Sequence, residues 1–136
     1  MAIWLVRAGK AGEYESKFLN DKRIYLTWGG LNLNLTNVNS KTGIHNELRD
    51  AYPEEKFGTI RNWTGQVHGF VNEMKTDDWV VLPSKKKSAL HFALIKGDYE
   101  YNSKAEDPYY HSRKVDWVAK DVPRSNFDQD ILYSLG

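Results

Sequence analysis

The chain has 136 residues and a formal net charge of +1, so it is the size of one domain and carries no global field that would draw it to nucleic acid or an acidic surface. Its apolar and charged fractions, 40% and 27%, are ordinary for a globular protein, and the absence of cysteine excludes disulfides, thiol chemistry and thiolate metal sites. The five Trp and eight Tyr stand out, because these side chains combine a flat apolar face with a polar tip and serve binding surfaces as readily as cores.

In chain order, AIWLVRAG is apolar and β-prone up to Gly9 and reads as a first strand. GEYESKFLNDK places Tyr14, Phe18 and Leu19 at helical spacing and predicts a short amphipathic helix. RIYLTW alternates into a second strand that ends on Trp28, immediately before Gly29 and Gly30. GGLNLNLTNVNSKTG is polar and Asn-rich and reads as a loop, although its Leu alternation permits a short strand. TGIHNELRDAYPEEK spaces Ile44, Leu48 and Tyr52 four apart behind a candidate Thr42 cap, with Pro53 as its stop. TIRNWTGQVHGFVNEMKTDD carries Ile60, Trp63, Val67, Phe70, Val71 and Met74, the spacing of a helix weakened by two glycines.

WVVLP and ALHFALIKGDYEY read as strands, NSKAEDPYYHSR as a loop and KVDWVAKDVP as a strand. SNFDQDILYSL reads as a last helix capped by Ser125. Mixed strands without a regular βαβ repeat predict an α+β fold, a small mixed β-barrel or strongly curved sheet flanked by helices, as one domain over residues 1–136. Trp4, Trp79 and Trp117 are expected in its core. No apolar run is long enough to span a bilayer, and the N-terminus lacks the length and cleavage site of a signal peptide. Without cysteine, this leads to the expectation of a cytoplasmic protein.

Catalysis finds little support. His45, His68, His91 and His111 are scattered, without metal-ligand spacing, and are expected in surface or structural roles. There is no phosphate loop and no nucleophile elbow. Asp98, Glu100 and Lys104 could suggest a metal-dependent nuclease, but the lysine falls in a loop rather than on an adjoining strand. The chain is therefore expected not to be an enzyme and to need no metal or cofactor.

Binding features are clearer. Trp28 at the strand exit, with Tyr99, Tyr101, Tyr109 and Tyr110 around the loop GDYEYNSKAEDPYYH, could hold a planar ligand between aromatic faces. In RNWTGQ, Asn62 and Gln66 flank Trp63, and their amides suit the edge of a base. Lys85, Lys86, Lys87, Arg113 and Lys114 are the candidate phosphate contacts. The same residues also fit a plainer arrangement, with tyrosines closing a barrel end, lysines in a solvated turn and Trp63 in the core.

IRNWTGQVHGFVNEMKTDDWVVLP resembles the EVE-domain pattern of an Arg-Asn-aromatic helix start, then Met-Lys-x-x-Asp and an apolar strand. KVDWVAKDVPRSNF and RIYLTWGG look like the Lys-x-x-Trp strand, the Asp-Val-Pro turn and the early Tyr-x-x-Trp of YTH domains. Both families have the PUA-like fold. The whole chain also resembles the region in front of Mrr-type restriction nucleases.

The resemblance implies a reader of modified bases that flips a methylated or otherwise modified base of DNA into an aromatic cage. It implies a nuclease domain in the same, longer protein, targeted to foreign DNA, and no membrane partner. Trp28 would be a cage wall, and Gly29 and Gly30 would let the backbone come close and read the base edge. A YTH-like second Trp is missing from the late loop, so Tyr101, Tyr109 or Tyr110 would complete the cage, with Trp63 as a pocket floor or core residue. A reader of modified RNA, or a small-ligand or protein interaction module, are the alternatives.

Overall fold

The computed structural model describes residues 1–127. The chain is mixed α+β, with six strands and three α-helices among the described residues. The described residues divide into two compact units: residues 1–25, 75–98 and 113–127 form one, and residues 26–74 and 99–112 the other.

The first unit is built on a curved sheet. Its strands are β1 (Ile3–Leu5), β2 (Arg23–Leu26), β3 (Trp79–Pro83), β4 (Ala89–Ile95) and β6 (His111–Pro123), in the order β1-β3-β4-β6-β2. β1 runs parallel to β3, whereas β3 with β4 and β4 with β6 are antiparallel. Register shifts around Phe92 mark an irregularity of the β-bulge kind, which increases local twist and bends a strand pair. The helix α1 (Glu15–Asp21) buries Phe18 completely, and Ile24, Val80, Leu82, Leu90, Ala93 and Ile95 complete an apolar core.

Polar groups inside this unit are matched to partners. His91 is fully buried: its Nδ1 accepts the Asp121 N–H at 3.0 Å, which leaves Nε2 as the donor to Glu15 Oε2 at 3.3 Å. Ser84 Oγ donates to the same Glu15 oxygen at 3.0 Å. Asp78 gathers the Trp4 indole N–H at 2.9 Å and the backbone N–H groups of Ala2 and Lys75 at 3.0 Å each. The Trp4 hydrogen bond, then that from Ala2, holds its carboxyl below the usual carboxylate range.

A group with a depressed folded pKa stabilises fully above its unfolded value, here 3.8, and that stability is lost as pH falls through the lowered value. Asp78→Ala leaves three donors without their acceptor and is expected to cost about 2–3 kcal/mol. Denaturant titration at neutral pH measures the loss. The same variant should lose less stability than the parent as pH falls below 3.8.

The tryptophans expected in the core sit at its margin. Trp4, Trp79 and Trp117 are each half-buried; for Trp4 and Trp117 the margin supplies the polar partner that an indole N–H needs and a dry core does not offer. Trp4 finds Asp78, and Trp117 donates to the Phe18 carbonyl at 3.1 Å.

The second unit contains α2 (Lys41–Ala51), α3 (Phe57–His68) continued by a π-helical turn at Gly69–Glu73, and β5 (Glu100–Tyr101), which pairs with His111 and Ser112, the residues of β6 that belong to this unit. The cap of α2 is Ser40 rather than Thr42: Ser40 is extended and its Oγ accepts the Gly43 N–H at 3.0 Å. The long helix pattern over residues 59–78 begins two residues earlier than expected and stops at Glu73. The continuous strand expected over residues 89–101 is interrupted between β4 and β5, and β6 begins three residues before the predicted strand. Of the expected last helix, the described part is a single 3-10 turn at Arg124–Asn126, and the rest lies outside the described residues.

Candidate functional site: an aromatic corner over a double-glycine turn

β2 ends at Leu26, and the chain turns through Trp28, Gly29, Gly30 and Leu31, where the Leu31 N–H reaches the Trp28 carbonyl at 3.3 Å. Gly30 has φ +74°, the conformation a type II turn requires at its third position, so glycine is needed there by the backbone. Gly29 is different. Its φ is not positive, and a Cβ there would meet nothing within 4 Å. Neither strain nor crowding in the fold demands a glycine at 29.

The turn is clamped by two side chains. The Tyr52 hydroxyl, from the end of α2, donates to the Gly29 carbonyl at 2.7 Å, and the Gly30 N–H donates to Asp107 Oδ1 at 2.9 Å. Burial, then the Asp107 charge, pushes the Tyr52 hydroxyl up to about 12, so it is a neutral donor throughout the physiological range. The backbone groups expected to read a base edge are thus partly taken: the Gly29 carbonyl and the Gly30 N–H are satisfied within the protein. The Gly29 N–H has no partner among the described residues.

Around this turn stand three half-buried rings. Trp28 meets Trp63 edge-to-face, with centroids 6.0 Å apart and planes at 83°. Tyr52 meets Trp63 in the same manner at 5.4 Å and 81°. Trp63 is the only ring in contact with Trp28 among the described residues, and neither indole N–H has a partner among them. Asn62 and Gln66 are exposed and lie one turn apart on α3, side by side on the helix surface next to Trp63.

The late tyrosines divide. Tyr99 stacks on the buried ring of His111 at 5.7 Å and 19°, and Tyr101 packs against it at 5.6 Å. His111 Nε2 lies 2.7 Å from the Leu31 carbonyl and so must carry the proton; Nδ1 then accepts from the Tyr99 hydroxyl at 2.6 Å. The Tyr99 oxygen in turn accepts the Leu35 N–H at 3.2 Å. Burial pushes the His111 pKa down and the Tyr99 pKa up to about 12. Tyr101 donates to Asn32 Oδ1 at 2.6 Å. Tyr99 and Tyr101 therefore pin the segment after the glycines; Tyr110 meets the same His111 ring edge-to-face at 6.4 Å and 74°, and Tyr109 and Tyr110 are both half-buried.

Arg113, a candidate phosphate contact, is 4% exposed and donates to the Gly97 carbonyl at 3.1 Å inside the first unit. Lys85, Lys86 and Lys87 form the exposed turn between β3 and β4, where Lys86 reaches Ser16 Oγ at 3.3 Å and Lys87 pairs with Asp121 at 2.8 Å. Lys85 has no side-chain partner among the described residues, and Lys114 is exposed. No group of three metal-ligating side chains occurs among the described residues, and no described helix is long and apolar enough to cross a membrane.

Tyr52 and Asp107 escaped the sequence reading. Tyr52 reads from the sequence as part of the apolar stripe of a helix, and Asp107 lies within a stretch read only as a loop. The signal for both was their polar reach beside a Gly-Gly pair, which only proximity in space makes legible. The family model of a domain of unknown function, DUF8426, matches residues 4–132. No curated protein and no solved structure matches the chain.

Proposed function

The chain belongs to the DUF8426 family, and we propose that it reads modified nucleobases by taking a flipped base of DNA onto the Trp28–Trp63–Tyr52 corner. The observation that carries this reading is the half-exposed Trp28 indole beside Gly29, a glycine that neither backbone conformation nor packing requires. A flat ring next to bare backbone offers a planar ligand a stacking face and room for close approach. Asn62 and Gln66 contact the base edge or hold the pocket rim. A PUA-like fold belongs to the same reading, supported by the curved mixed sheet with helices and by the resemblance to EVE and YTH domains. That resemblance, with the likeness to the region before Mrr-type nucleases, is also the support for a nuclease domain delivered to foreign DNA.

The energies are sufficient but not generous. Extruding a base costs a few kcal/mol. Stacking contributes roughly 1–3 kcal/mol per base, and contacts of basic side chains to phosphates add affinity that salt weakens. A methyl group in an apolar pocket is worth roughly 1–3 kcal/mol, so preference for a modified base is about ten- to a hundredfold.

Fluorescence anisotropy with short duplexes carrying N6-methyladenine, 5-methylcytosine, 5-hydroxymethylcytosine or no modification tests the reading. One modified duplex is expected to bind in that excess. Equal affinity across the panel at every salt concentration would overturn it. Tighter binding to the matching RNA strands would move the reading to RNA.

A further inference from the structure

The small net charge of the whole chain conceals a local excess. Residues 26–74 and 99–112, the unit that holds the aromatic corner, carry five Lys and Arg against eight Asp and Glu, a formal net charge of −3. Charge of that sign repels phosphates and favours a cation. A corner built only to attract a polyanion would not be set among carboxylates.

The excess comes closest to the rings at Asp107. Its side chain is exposed, forms no ion pair among the described residues, and accepts the Gly30 N–H at 2.9 Å. The Tyr52 hydroxyl donates at 2.7 Å to the Gly29 carbonyl, which is the other end of the same peptide group. The Tyr52 and Asp107 oxygens are therefore at most about 8 Å apart, within a Debye length at physiological ionic strength. After burial, the Asp107 charge is what pushes the Tyr52 pKa up, so its field reaches a ring of the corner. Glu106 adds a second exposed carboxylate to that loop and Lys104 a single cation.

The rings suit the same sign of charge. The face of an aromatic ring is negative and attracts a cation, that of Trp most strongly. Trp28 and Tyr52 stand at 83° and 81° to Trp63, so the half-buried rings offer aromatic surface in more than one direction. A neutral methylated base gains stacking there. A positively charged one gains stacking, the ring electrostatics and the carboxylate field together.

We propose that the modified base this corner takes is a cationic one, methylated on a ring nitrogen of its pairing edge, as in 1-methyladenine and 3-methylcytosine, which carry a positive charge at neutral pH. This rests on the reading of the corner as a base-binding site and names the class of base it selects. A methyl on the pairing edge also prevents normal pairing, and extrusion costs least for a base that is already unpaired.

The test uses single-stranded oligonucleotides, so that no pairing energy differs between them. Each carries 1-methyladenine, its neutral isomer N6-methyladenine, or plain adenine at one position. The two methylated bases have the same atoms and differ in charge. The isomers 3-methylcytosine and N4-methylcytosine, with plain cytosine, form the matching pyrimidine set. Fluorescence anisotropy is expected to show the charged member of each pair favoured about tenfold. Asp107→Asn keeps an oxygen for the Gly30 N–H and removes the charge, and should shrink that ratio to about threefold. A merely structural role for Asp107 would lower both affinities in proportion and leave the ratio at about ten.

A wild-type ratio of one between isomers, with preference for methylated over plain base intact, would overturn the charge selection and leave the reader standing. Equal binding of charged, neutral and plain bases would overturn both. If Asp107→Asn fails to fold, as thermal denaturation would reveal, the two wild-type ratios decide.

Discussion

Trp28→Ala is expected to abolish the preference for a modified base while leaving weak, salt-sensitive binding to any oligonucleotide. The indole supplies the stacking face, and losing it removes roughly 1–3 kcal/mol, which equals the whole ten- to hundredfold preference. Phosphate contacts do not depend on the ring, so the salt dependence should persist. The substitution also removes the edge-to-face contact with Trp63, worth about 0.5–1.5 kcal/mol of stability beyond area burial. Trp28→Phe separates the two effects, because a smaller flat ring still stacks: it should retain much of the preference at reduced affinity. Titrating all three proteins against a modified and a plain duplex is the measurement. Equal discrimination by Trp28→Ala and the parent would remove the indole from the site.

The second large effect falls on stability. His111 is fully buried, and its two nitrogens join the Leu31 carbonyl to the Tyr99 hydroxyl. His111→Phe preserves the ring and its stacking surface but strands both partners. A buried group left unsatisfied costs roughly 1–3 kcal/mol, so the pair is expected to cost about 3 kcal/mol or more.

The pH dependence has a definite sign. Burial lowers the folded pKa of His111 below its ordinary value of 6.5, so the unfolded chain takes up the proton first as pH falls. The stabilisation is complete above 6.5 and declines below it, by at most about 1.4 kcal/mol per pH unit, until the lowered folded value is passed. Protonation would also turn Nδ1 into a donor facing the Tyr99 hydroxyl. Urea titrations between pH 5 and 7, around the histidine range, should show this decline in the parent and a flatter profile in His111→Phe. An identical acid decline in both would assign it to another group.

Much of the secondary structure was legible because periodicity reports burial locally. The Ile44, Leu48 and Tyr52 spacing marked α2, and the alternation after Arg23 marked β2, since each follows from one face of one element meeting a core. Boundaries were less legible. Ser40 and Thr42 are both chemically able to cap, and the choice fell to Ser40, whose extended backbone brings its oxygen to the Gly43 N–H. The break between β4 and β5 was hidden because the apolar run WVV, ALHFALI and the tyrosines after it all favour strands, while pairing partners alone set where a strand stops.

The chain by itself determined the absence of thiol chemistry, the near-zero net charge, the wealth of Trp and Tyr, and the presence of a Trp before a Gly-Gly pair, because these are properties of composition and adjacency. Tertiary structure alone decided which rings gather at the Gly29–Gly30 turn. Trp63 and Tyr52 come from α3 and the end of α2, while Tyr99 and Tyr101 are drawn to a buried histidine instead. It likewise decided that Arg113 is spent on a carbonyl and that Asp107 clamps the Gly30 turn. The physical reason is the same in each case. A polar or aromatic side chain takes its role from the partner that satisfies it, and those partners lie tens of residues away along the chain, where spacing carries no information about them.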